Sequence, residues 1–405
     1  MAEQDVLERP FDIREMFFSR TDFKGKVLSG NQVFQRVSGY DWNEMYNRAH
    51  NLVRHPDMPK GVFHLFWSFL ENKKPIGAYV KNKAKDGRPY WVFAVAVPLE
   101  DGYLSVRIKP SSPMFPIIQS AYAELKKRET NEKLSPEQSE ELLLKQISEL
   151  GYSSYEKLMT DCFLQELESR QKIVGKNSLG VIALLKEASL LGASLVGELA
   201  RVIQTQKESK FLPLNLEVSS AHLNEEGAAI SVVASSYQKL VAEVQSEISR
   251  FKESAENVIL KLQENQFLIS AKYLMTEIVT FFKTEKDNTN INVQEETTRL
   301  LEQSEKYQTK AQASVQDVLQ SLKTFKSACE SMRSSITGLE IMRLTGKIEA
   351  ARLGQASKTF EGIIGQLKQF QMVLFGVLEE IEKNTFKLQN CSEGILESSQ
   401  KEKNL

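Results

Sequence analysis

Between residues 10 and 110 the apolar positions tend to recur every second residue and stop at turns; beyond 178 they recur every three or four. In the first part, "KPIGAYVKNK", "PYWVFAVAVPL" and "GYLSVRIK" alternate faces as half-buried antiparallel strands do. "SRTDFKGKVLSG", "NKAKDGRPY" and "PLEDGYLS" set glycine beside Asp, Lys or Pro between apolar runs, which is how hairpins read. A first strand pair is expected over about 14–30. Between it and the other three strands lie short helical pieces and one better helix, "KGVFHLFWSFLENK", whose Val62, Phe63, Phe66, Trp67 and Leu70 fall on one stripe. The pattern predicts a small α+β domain over 10–110, a five-stranded antiparallel sheet with helices inserted after the second strand.

Residues 111–175 are charged and helical, with breaks at "NEKLSPEQ" and "LGYSSYE", and form a connector. Residues 176–405 predict a long all-α coiled coil or four-helix bundle. Ile230, Val233, Tyr237, Leu240, Val244, Ile248, Phe251, Ala255, Val258 and Leu262 alternate steps of three and four, as a coiled-coil seam does. The polar "KTEKDNTNIN" interrupts it, and a second helical pair runs from Val293 onward. Residues 214–235 superpose on 344–365 without a gap: Leu214 on Leu344, Val218 on Ile348, Leu223 on Leu353, Ile230 on Phe360. Each copy reads as a helical hairpin, with tips near 219–228 and 349–358. The central arms, 229–283 and 293–352, would each extend about 80 Å at 1.5 Å per residue, so folding back between them would bring both tips to one end of a single bundle.

Composition narrows the partners. Fifty-two basic and fifty-three acidic residues leave a formal charge of −1, so no global field draws the chain to nucleic acid or acidic lipid. Three widely spaced cysteines, Cys162, Cys329 and Cys391, form neither a CxxC site nor a disulfide framework and fit a reducing compartment. The N-terminus lacks the basic flank and apolar run of a signal peptide. The most apolar window, 179–203, is interrupted by Lys186, Glu187 and Glu198, and the chain reads as soluble.

The densest candidate chemistry is "HNLVRHPDMP", residues 50–59. Taken alone it has two readings: a ligand site, or a loop entering a helix with Pro59 in the first turn, Asp57 as its cap and Arg54 in solvent. His50, His55 and His64 could each ligate a heme iron. No nucleophile constellation or nucleotide-binding glycine motif accompanies them, which argues against an enzyme.

"SGNQVFQRVSGYDWNEMYNRAHNLVRHPDMPKGVFHLFW" followed by "VKNKAKDGRPYWVFAVAVPL" resembles the sensory PAS domain of Aer-type aerotaxis receptors over about 100 residues. The resemblance implies a PAS fold and a flavin, usually FAD, in a pocket lined by Arg54, His55, Asp57, Trp67 and Asn82, with Asn31 and Trp91 nearby. Heme, or no cofactor, is the alternative. No cysteine precedes Cys162, so the light-driven cysteine adduct of some flavin-binding PAS relatives is unavailable and a redox or oxygen signal is expected.

The helical half is similar to the cytoplasmic signalling hairpin of methyl-accepting chemotaxis proteins, whose tip docks the kinase CheA and the adaptor CheW. It keeps "IEAARLG" (348–354) with Glu349 and Arg352, Phe360 in the family's phenylalanine position, and Asn215 and "VVA" (232–234) in the first copy. Ser219, His222, Asn224 and Ala228, then Gln355, Ser357, Lys358 and Thr359, depart from the family pattern. The resemblance implies a sensory transducer with CheA, CheW or related chemoreceptors as partners. Receptors of this type are usually membrane-anchored beyond the PAS domain, and with no such segment read along this sequence a cytoplasmic variant is expected. It would be a homodimer or a bundle that mimics a receptor dimer in one chain. A structural partner that interferes with receptor arrays, or a flavoenzyme, are the other readings. "VQEETTR" (293–299) reads as a faint methylation site or a solvated charge cluster.

Overall fold

The computed structural model describes residues 8–175, 179–209, 228–284, 292–352 and 358–401, with 211, 212, 214, 215 and 218 between them. The expected hairpin tips lie largely outside the described residues. The chain forms two compact units: Met1–Ala183 with Asn265–Gln312, and Leu184–Glu264 with Ala313–Leu405.

In the first unit, strands β1 (Phe17–Thr21) and β2 (Val27–Gly30) form a hairpin, and α1 (Gln32–Ser38), α2 (Trp42–Met45), a 3₁₀ turn at His50–Val53 and α3 (Lys60–Glu71) follow. Then come β3 (Ile76–Lys83), β4 (Pro89–Pro98) and β5 (Tyr103–Ile108). The sheet order is β2-β1-β5-β4-β3, antiparallel throughout, so the five-stranded α+β reading holds. Asn31 closes the β2–α1 corner: its Oδ1 accepts from the Phe18 and Phe34 N–H groups at 3.0 and 3.2 Å, and its Nδ2 donates to Met16 O at 2.8 Å. It is both an N-cap and a strand tie.

Register decides which residues share a face. Ser19 pairs with Ser105 and Phe17 with Arg107; Ala94 pairs with Arg107, and Asn82 with Tyr90. One face of the sheet therefore carries Ser19, Thr21, Val80, Asn82, Val92, Ala94, Tyr103, Ser105 and Arg107, and α1–α3 cover it. The other carries Phe18, Arg20, Tyr79, Lys81, Trp91, Phe93, Leu104 and Val106. On that outer face lie α4 (Met114–Glu132) and α6 (Tyr155–Val174), with α5 (Pro136–Glu149) between them in sequence and packed along α3. Phe93 stacks on Phe163 at 5.6 Å, and Trp91 meets Phe115 edge-on at 5.4 Å.

The outer face also buries a carboxylate. Glu166 of α6 accepts from Tyr79 OH and Ser112 Oγ at 2.7 Å each, and from the Ser111 and Ser112 N–H groups at 2.6 and 3.1 Å. Four donors replace the water it has lost.

The second unit is an antiparallel four-helix bundle made by one chain. Its helices are α7 (Leu179–Ser209) from Leu184 onward, parts of α8 (Ala228–Thr284) and α9 (Val293–Arg352), and α10 (Lys358–Lys401). Gly394 approaches Leu184, Asn384 bonds Ser194, Asn257 bonds Ser321, and Arg333 pairs with Glu382, so neighbouring helices run in opposite directions. Val244, Ile248, Phe251, Ala255, Val258 and Leu262 of the expected seam are buried, and Phe251 meets Phe325 at 5.0 Å. The side chains of Ile230, Val233 and Tyr237 lie outside the described residues. Helix α7 puts Leu191, Leu195, Leu199 and Val202 into this core, while Leu190 and Val196 are exposed. Its span Gly180–Glu208 is long and apolar enough to cross a membrane by length and composition, with a mean hydropathy of 1.5 over its most apolar window, despite Lys186, Glu187 and Glu198.

Candidate functional site

A cavity of about 190 Å³ opens between α3 and the inner face of the sheet. Phe63, Phe66, Trp67 and Leu70 wall it from α3; Val80, Val92, Ala94 and Ala96 form its floor. Val62 departs from the expected stripe: it is buried but does not line the cavity. Helix α3 is apolar on two sides, the second bearing Leu65 and Phe69, whose ring meets Tyr155 at 5.9 Å. Gly25 lines the mouth at φ +71°, and a Cβ there would lie 2.9 Å from the Trp67 ring, so glycine serves both the turn and the opening.

Polar groups gather toward β5. Arg107 is buried, 2% exposed, and pairs with no carboxylate among the described residues. Its Nη2 donates to Ser19 Oγ and its Nε to Ser105 Oγ at 3.2 Å, while Nη1 has no hydrogen-bond partner among the described residues. The guanidinium lies 4.8 Å over the Phe34 ring, and burial pushes its pKa down to about 10, so it stays charged. His50 stacks parallel to Phe34 at 5.5 Å, with Nε2 3.4 Å from Ser19 Oγ. Burial first, and the Arg107 charge second, push its imidazole down to about 3, which leaves it neutral at ordinary pH.

Of the residues singled out from the sequence, Arg54, Trp67 and Asn82 line this cavity together. Arg54 stands at the mouth, its guanidinium 3.5 Å over Phe63, and its backbone bridges to Asn82, so the "HNLVRHPDMP" loop is pinned to β3. His55 and Asp57 sit beside the cavity rather than on its wall. Asp57 accepts from Lys81 Nζ at 2.7 Å and lies 3.3 Å from His55 Nδ1. Asn31 is held in the corner described above, and Trp91 points to the outer face.

The capping expectation for this loop is corrected. Pro59 is itself the N-cap of α3 and Asp57 does not cap it; Glu129 of α4 does, accepting from the Lys60 and Gly61 N–H groups at 2.5 and 3.4 Å. Its side chain also accepts from Ser139 Oγ and pairs with Lys126. A buried carboxylate at a helix N-terminus satisfies orphan donors and the helix dipole together.

Sequence reasoning missed Arg107. The available signal was alternation in "GYLSVRIK", which puts Tyr103, Ser105 and Arg107 on one face of an otherwise buried strand. Of the hairpin residues, Glu349 and Arg352 form an exposed pair at 2.8 Å, and Asn215 is exposed; the Phe360 side chain lies outside the described residues. In "VQEETTR", Glu296 is buried against Arg20, whereas Glu295 is exposed beside Arg299. No metal-binding cluster of His, Cys, Asp or Glu occurs among the described residues.

A family profile described as the PAS fold matches residues 27–106. The aerotaxis receptor of Escherichia coli (strain K12) is 36% identical over 121 residues, 29% of this chain and 24% of that receptor, so the chain spans about a quarter of the relative's length. Among solved structures, a PAS domain from Colwellia psychrerythraea is 20% identical, covering 23% of this chain and 85% of that one with a TM-score of 0.21. The LOV domain of a blue-light activated histidine kinase from Erythrobacter litoralis is 16% identical, with coverages of 23% and 90% and a TM-score of 0.21. From the profile match and the sheet with its inserted helices, the N-terminal domain has the PAS fold, and over that region it is similar to an aerotaxis receptor.

Proposed function

We propose that this protein is a non-catalytic sensory transducer, soluble and cytoplasmic, whose PAS domain binds a flavin as FAD and reports redox or oxygen status to a chemotaxis-type pathway through CheA and CheW. The observation that supports the ligand is Arg107: a buried cation with an unpartnered N–H, at the polar end of an apolar, aromatic-walled cavity. That combination suits a flat ring with an electron-rich edge. Bound there, a flavin would supply a group whose charge changes with redox state. Arg107 would favour negative charge at the ring edge, Asn82 would offer a donor and an acceptor, and neutral His50 would add no competing charge. Trp67 and Phe63 would exclude water from the ring face, and Arg54 at the mouth is placed to meet phosphates.

The test is the absorbance spectrum of the purified full chain, with any chromophore released and identified. Oxidised-flavin bands and recovered FAD are expected, and a folded, colourless protein that takes up no added FAD would overturn the assignment. A Soret band would instead make His50, the histidine on the cavity wall, the iron ligand to examine. The pathway is tested separately by CheA activity in the presence of the chain and CheW, with oxidised and reduced protein compared.

A further inference from the structure

The strand that lines the cavity also holds the helical arms. β1 turns Ser19 and Thr21 toward the cavity and, at alternate positions, Phe18 and Arg20 toward the outer face. Phe18 meets Phe282 of α8 edge-on at 5.4 Å. Arg20 donates from Nη2 to Glu296 Oε1 at 2.9 Å and from Nε to both carboxylate oxygens at 3.2 and 3.3 Å, with Asp101 3.5 Å away. Glu296 lies in the first turn of α9, and both side chains are largely buried, 12% and 5% exposed. On the cavity side, Ser19 accepts from the uncompensated Arg107 and faces His50. One residue thus separates the cavity's charge from the seat of a helix that continues to Arg352.

We propose that β1 is a transmission strand. The charge or occupancy of the cavity, felt at Ser19 through Arg107, sets the Arg20–Glu296 pair and so the seating of the first turn of α9 on the sheet. Neighbouring residues of a strand share a rigid peptide plane, and β1 is held on both edges by β2 and β5, so a displacement of Ser19 passes to Arg20 before it dissipates sideways. Coupling of this kind is reciprocal: weakening the ion pair must change affinity in the cavity, although Arg20 does not line it.

The proposal rests on the cavity being a ligand site, and its test separates the two. In the full chain, FAD affinity and amide hydrogen exchange over residues 292–303 are measured for the parent, Arg20→Gln, Arg20→Lys and Glu296→Gln. FAD is expected to change exchange over 292–303 in the parent, and this response should vanish in Arg20→Gln and Glu296→Gln while sheet protection persists. FAD affinity should shift at least threefold in those two variants and less in Arg20→Lys. Unchanged affinity and an undiminished exchange response would reduce the pair to a structural contact and overturn the proposal. If the parent binds no FAD, the flavin reading has failed and Ala94→Leu decides the coupling. That variant fills the cavity opposite Arg107 without touching β1: altered exchange over 292–303 supports transmission, and unaltered exchange overturns it.

Discussion

The two faces of the PAS sheet bury opposite charges in opposite ways. On the outer face, Glu166 accepts four hydrogen bonds from Tyr79, Ser111 and Ser112, and Arg170 of the same helix donates to Ile13 O, Arg14 O and Glu277 at 2.9, 3.1 and 2.5 Å. On the inner face, Arg107 is buried just as deeply with two serine hydroxyls and an unpartnered N–H. Burial alone distinguishes nothing; what differs is how completely the desolvated charge is compensated. A fully bonded group locks packing, whereas one left short of partners beside a cavity retains a free donor. The contrast separates a face whose buried charges are fully bonded from one whose buried cation is not, and the second is where the ligand site is proposed.

The comparison breaks most visibly at Glu166. Its replacement by Ala leaves Tyr79 OH and Ser112 Oγ without their shared acceptor, and should destabilise the first unit by about 3 kcal/mol, read from urea or thermal unfolding. Next comes Gly61, where a Cβ would sit 2.5 Å from the backbone of Ser139 and Glu140. Gly61→Ala should push α3 from α5, costing about 2 kcal/mol and loosening the cavity wall. A cost below about 0.5 kcal/mol would show that the two helices have slack.

Arg107→Met should behave in the opposite sense. Removing an unpaired buried cation should leave stability unchanged or raise it by about 1 kcal/mol, while FAD affinity falls at least tenfold. A large loss of stability with affinity retained would erase the distinction between the faces. The smallest effect is the pH dependence of His64, whose pKa is raised by its hydrogen bond to Glu140 at 2.5 Å, with Glu137 and Glu71 adding to it. A raised folded-state pKa means the contribution is whole below the unfolded value near 6.5 and is lost as pH climbs through the folded value. The melting temperature should therefore decline slightly as pH rises above about 6.5, and His64→Gln should flatten that decline.

Much of the fold was legible along the chain because the signals are local. Alternation in "PYWVFAVAVPL" and steps of three and four from Val244 to Leu262 report which positions face a core, whatever that core turns out to be. The site was half legible: Arg54, Trp67 and Asn82 meet at one cavity, while Asn31 and Trp91 have other neighbours. Trp91 stands next to Tyr90 and Val92, yet a period of two puts it on the far side of the sheet. Asp57 looked like a cap because it stands two residues before Pro59, but the donors of α3 are met by Glu129, which no local pattern brings there.

The sequence by itself determined the elements and their polarity patterns, since each is written in the spacing of neighbouring residues. Only the tertiary structure decided which charges meet: Glu129 with the start of α3, Glu166 with Tyr79, Arg20 with Glu296, and Arg107 with no carboxylate among the described residues. Those partners lie tens to hundreds of residues apart, and a buried charge takes its meaning from the groups that fold around it rather than from those beside it in the chain.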